Sequence, residues 1–153
     1  MYQTVIVLHS LFRWVVVLMG AYAAFRAVTG LVGKKAWTPA DVRAGTFFVI
    51  ALDTQFLLGV VLYGLLSPLV TAAMSDVGAS MKIPALRYWL VEHPLPMFVA
   101  LGLVHLGFAR AKRTNSPVSH RQMLVHMGVA LLLILASTPW PFMANARPWI
   151  RFW

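Results

Sequence analysis

Apolar residues run through this chain in four long blocks, and the short stretches between them gather most of its charge, proline and polar residues. The blocks cover residues 4–28, 44–66, 86–110 and 122–138. Each is close to the roughly 20 residues that an α-helix needs to cross a hydrocarbon layer about 30 Å thick. The pattern predicts an all-α chain: an integral membrane, up-down four-helix bundle built as one domain over residues 1–153.

The block edges carry their own signals. No basic segment precedes the first block and no small-residue cleavage site follows it, which predicts a retained helix rather than a signal peptide. In Thr38-Pro39-Ala40-Asp41, Thr38 reads as an N-cap and Pro39 as the first helical residue. Ser67-Pro68 ends or bends the second block. The segment 70–84, with Asp76, Gly78 and Lys82, reads as the longest non-spanning connection. Pro94 and Pro96 predict a kink in the third block. Thr138-Pro139-Trp140-Pro141-Phe142 stops the fourth, and the aromatic, basic tail 146–153 is expected along the membrane surface.

Composition agrees with a membrane chain: 60% of the residues are hydrophobic and 11% charged. There is no cysteine, which excludes disulfides, thiolate metal sites, iron–sulfur clusters and covalent c-type haem. The net charge of +9 would suit nucleic acid, but the basic residues flank apolar spans and no nucleic-acid motif accompanies them. The lipid bilayer is the expected partner. Arg26, Lys34, Lys35, Arg43, Arg110, Lys112, Arg113 and Arg121 lie at the first and third loops. Arg13, Lys82, Arg87, Arg147 and Arg151 fall on the other side. That excess puts both termini on the outer side.

Ionisable side chains inside the blocks are the candidate chemistry, because each is costly in hydrocarbon. His9 and His93 fall at matching depths near the outer side, on helices expected to be diagonal in the bundle. Two imidazoles facing across a bundle can supply both axial ligands of a b-type haem, with Arg13, one turn from His9, offsetting a propionate. The plainer reading makes both histidines tolerated interfacial groups and lets Arg13 pair with Glu92. His105 and His126 match in depth on the opposite side but lie on adjacent helices, a weaker second cofactor site or simple interhelical hydrogen bonders. Asp53, mid-span, reads as a proton site beside quinone, with Glu92 as a second such group, or as an Asp bonded to a neighbouring helix. His120 reads as solvated in a basic loop. No phosphate-binding glycine loop or HExxH spacing is present.

The run from His9 to Trp14 (HSLFRW), LLGVVLYGLLSP, Glu92-His93 and Ser137-Thr138-Pro139-Trp140-Pro141-Phe142 resemble a family of small four-helix bacterial membrane proteins labelled cytochrome b-like. The resemblance spans nearly the whole chain and implies haem binding by His9 and His93. The expectation is a b-type cytochrome-like protein of the bacterial cytoplasmic (inner) membrane, with one haem b, passing electrons to or from a partner such as quinone. The alternatives are a haem-free accessory subunit, associated with other membrane subunits or with itself, and a proton or small-solute transporter using Asp53, His105 and His126. An enzyme acting in isolation is not expected.

Overall fold

The computed structural model describes residues 1–151. Phe152 and Trp153, part of the tail expected at the membrane surface, lie outside the described residues. The chain is helical: α1 (Tyr2–Val32), α2 (Pro39–Val61), α3 (Pro68–Ser75), α4 (Val77–Ser80), α5 (Pro84–Arg87), α6 (Pro94–Lys112) and α7 (Val118–Ser137). Two π-helical segments, Leu62–Leu66 and Tyr88–Glu92, extend α2 and precede α6. Four helical stretches, Tyr2–Val32, Pro39–Leu66, Pro84–Lys112 and Val118–Ser137, are long and apolar enough to cross a membrane.

Local chemistry explains the ends. Thr38 takes an extended backbone and forms a capping box with Asp41, while Pro39 sits where its missing N–H costs nothing. Ser67, held extended by the proline after it, stops the second span, and its hydroxyl accepts from the Val70 N–H at the start of α3. Asp76 caps α4 in the same way, through the Ala79 N–H at 2.9 Å. The connection expected over 70–84 is therefore itself largely helical. It packs through a small core of Val70, Ala73 and Leu90, and Tyr63 Oη donates to the Leu90 carbonyl at 3.0 Å.

The third span is interrupted just before Pro94, where a π turn ends and α6 begins. Pro94 and Pro96 lie in the first turn of α6, where backbone N–H groups have no intrahelical acceptor in any case. They open α6, and the wider π turn before them leaves His93 at the junction.

Helix α1 packs against α2 and α7, and both of these pack against α6. The shared core is small in the middle of each helix, with Ala23, Ala27, Ala44, Ala100 and Ala130 fully buried beside Phe48, Val104, Met123 and Met127. Close approach is strict where glycine lies at a crossing. A Cβ on Gly107 would collide with the Cβ of His126, an atom close to the α7 backbone with little freedom to move. The outward surface is as apolar as the core: Leu18, Phe25, Leu57, Phe98 and Leu132 are each more than 60% exposed and are spread over α1, α2, α6 and α7. Helices apolar on all sides suit a lipid surround, as in a multi-pass membrane protein.

Candidate functional site

The end of α7 creates the first element of the site. Thr138 leaves the helical conformation and Pro139 has no N–H, so the last carbonyls of α7 need side-chain donors. Thr138 Oγ1 donates to the Ile134 carbonyl, and Trp140 Nε1 to the Leu135 carbonyl, both at 2.7 Å. The Ser137 carbonyl takes two donors, Tyr88 Oη at 2.7 Å and His93 Nδ1 at 2.8 Å. A carbonyl only accepts, so Nδ1 of His93 carries the proton. In the neutral imidazole Nε2 then holds a free lone pair, the arrangement of a metal-ligating histidine oriented by a backbone carbonyl. Tyr88 stacks on the His93 ring and Trp89 meets it edge-on, which fixes its plane.

His9 of α1 faces this ring across the bundle. The two ring centres are 6.5 Å apart, with planes at 80°. A metal–nitrogen bond of about 2 Å on each side, with each nitrogen about 1 Å from its ring centre, would set two imidazoles roughly 6 Å apart. The observed spacing is close to that value. Gly59 of α2 lies against His9, where an added Cβ would come to 3.3 Å from its Cε1. Gln55 Nε2 donates to the His9 carbonyl at 3.0 Å, while His9 Nδ1 and Gln55 Oε1 are buried without a partner.

Arg13, one turn on, is buried. Its Nη2 donates to the Trp149 carbonyl at 2.8 Å and the Pro148 carbonyl at 3.3 Å, so the C-terminal tail folds back over the end of α1. Trp14 Nε1 adds a bond to the same Trp149 carbonyl at 2.9 Å. The guanidinium also lies 5.6 Å from the Trp14 ring and 5.7 Å from that of Trp140. Its Nε is buried and unpartnered. The pairing of Arg13 with Glu92 is corrected: Glu92 binds Arg87 at 2.6 Å, and both side chains are largely exposed. At the membrane edge Glu92 has a nearer cation and no reason to be drawn inward.

These groups share one cavity of about 630 Å³, lined among others by His9, Arg13, Gln55, His93, Arg147 and Arg151. The volume falls within the range of small-molecule and cofactor sites. Three of the four buried polar side-chain atoms that lack a partner among the described residues, on His9, Arg13 and Gln55, belong to residues on its wall. Arg147 and Arg151 reach it from the tail, and Arg147 rests over the Trp89 ring at 4.8 Å.

The other ionisable residues go elsewhere. His105 of α6 does not join His126; its Nε2 meets Asp53 Oδ1 of α2 at 2.8 Å, on the outward face, with the two side chains 51% and 41% exposed. His126 donates through Nδ1 to the Gln122 carbonyl of its own helix at 2.9 Å and accepts from Arg110 at 3.3 Å through Nε2. Asp53, His105 and His126 thus form no common core site. His120 is not solvated but 1% exposed, because α7 begins earlier than the apolar block and carries this ring inward. It meets Trp37 edge-on, bonds Ser116 at 3.1 Å and fills the space that a side chain on Gly30 would need. Beside it lies a polar cluster missed in the sequence: Asp41, 2% exposed, binds Arg26 at 2.8 Å and Thr38 through both its N–H and its hydroxyl. The Thr38–Asp41 spacing of a capping box was the available signal. Among the described residues no group of three or more His, Cys, Asp or Glu could hold a metal ion.

Comparison of the chain with family models, curated proteins and solved structures found no match.

Proposed function

We propose that the chain is a b-type cytochrome-like protein of the bacterial cytoplasmic membrane, an up-down bundle with both termini on the outer side, that holds one haem b between His9 and His93. The observation that carries this reading is the 6.5 Å separation of the two rings together with the Ser137 carbonyl that fixes the tautomer of His93. Nε2 of His93 and a ring nitrogen of His9 would be the residues' donor atoms toward the iron. Arg13, Arg147 and Arg151 on the cavity wall would offset the carboxylate charge of the cofactor. Haem bound there would supply one-electron redox chemistry, at a potential tuned by the polarity and burial of its surroundings. Tyr88 and Trp89 hold the His93 imidazole in place, and the Trp14, Trp140 and Trp149 rings pack together beside Arg13. Electron exchange with quinone or another membrane partner is the role that such a site serves, and the resemblance of the His9–Trp14 and Ser137–Phe142 motifs to cytochrome b-like proteins points the same way.

Haem content per polypeptide after expression in haem-replete cells tests the reading. His9→Ala and His93→Ala are each expected to lose the haem while still inserting as helical protein. Wild-type haem content in both variants would overturn the ligand assignment.

A further inference from the structure

The Asp53–His105 pair is out of place for a chain surrounded by lipid. It lies away from the cavity that His9 and His93 share, within the spans of α2 and α6, and faces outward with 41% and 51% of its side chains exposed. Ionisable groups at membrane depth almost always face a bundle interior or water, because lipid offers them no partner. We infer that this face of α2 and α6 is a self-association surface, on which a second copy of the chain covers the pair.

The chemistry of the pair selects a second copy. His105 Nε2 and Asp53 Oδ1 satisfy each other, which leaves His105 Nδ1 and Asp53 Oδ2 without partners among the described residues. In either net-neutral state, imidazolium with carboxylate or imidazole with carboxylic acid, Nδ1–H is a free donor and Oδ2 a free acceptor. One donor and one acceptor on the same patch is self-complementary: under a two-fold axis each Nδ1–H reaches the other copy's Oδ2, and both pairs are completed without added charge. The surroundings suit close helix contact. Gly102, one turn before His105, opens to empty space outside the molecule, and Phe98, Ile50 and Leu57 flank the patch as exposed apolar side chains. A small residue beside a polar pair, inside an apolar face, is how helices associate where lipid removes the hydrophobic drive.

The chain has no cysteine, so a single introduced one reports only its own position. Gly102→Cys, in membranes under mild oxidation, is expected to give a disulfide-linked dimer. Leu18→Cys, on an exposed site of α1, is expected to stay monomeric at the same density. Subunit counting by photobleaching of the otherwise unaltered protein, diluted into lipid vesicles, is expected to give two copies per particle. Asp53→Ala combined with His105→Ala should weaken the dimer about ten-fold, the effect of losing two interhelical hydrogen bonds in lipid. Equal cross-linking at both positions, a monomer by subunit counting, or unchanged affinity in the double variant would each overturn the inference. A requirement for a different protein partner would appear as the monomer. None of these readings depends on haem, so this surface and the cofactor site fail or stand separately.

Discussion

Asp41→Ala offers the sharpest test of how the loop end of the bundle is held. The carboxylate is 2% exposed and accepts from Arg26 Nε at 3.0 Å, Arg26 Nη2 at 2.8 Å, Thr38 N at 2.8 Å and Thr38 Oγ1 at 2.7 Å. Removing one member of a buried ion pair costs roughly 3–5 kcal/mol, because the remaining charge loses its compensation. Arg26 keeps 31% of its side chain exposed and recovers part of that loss by solvation, which places the variant at the lower end, about 3 kcal/mol. Asp41→Asn keeps an acceptor for the Thr38 N–H but gives up the charge-assisted bonds, and should cost about half as much. The assay is equilibrium unfolding in mixed micelles of rising dodecyl sulfate fraction, followed by far-ultraviolet circular dichroism. A loss below about 1 kcal/mol for Asp41→Ala, or an equal loss for both variants, would refute the reasoning.

Other consequences can be read in the same way. Gly107→Ala should destabilise by about 1–3 kcal/mol in that assay, because the added methyl meets His126 Cβ, whereas Gly128→Ala, whose nearest neighbour would be 3.8 Å away, should be neutral or slightly stabilising. Gly30→Ala should be destabilising alone and partly rescued by His120→Ala, a non-additive double-mutant cycle, because the methyl would occupy the space of the imidazole. Arg13→Ala should release the tail and raise amide hydrogen exchange across residues 146–151 by at least about ten-fold, given two lost charge-assisted bonds of roughly 1.5–3 kcal/mol each.

The spans were legible because bilayer thickness imposes a length on apolar runs, and Thr38-Pro39 and Ser67-Pro68 mark ends through chemistry local to a few residues. The meeting of His9 and His93 was also legible, since matching depth on helices expected to be diagonal needs only the rise per residue. What escaped depends on partners far away in sequence. Arg13 Nη2 donates to carbonyls more than 130 residues on, in a tail that hydropathy treats as an interfacial appendage. His120 reads as solvated because its loop is basic, yet about one extra turn of α7 and the gap at Gly30 draw it inward. His105 and His126 share a depth, but helical phase turns one toward Asp53 and the other toward Arg110, and depth alone carries no phase.

The most direct test of the central claim is a reduced-minus-oxidised visible spectrum of the protein, purified in mild detergent from haem-replete cells. The account predicts a b-type α-band on reduction, at about one haem per chain, from a low-spin iron with two histidine ligands. A colourless protein under those conditions would contradict it, and would leave the paired imidazoles and their cavity to a ligand of another kind.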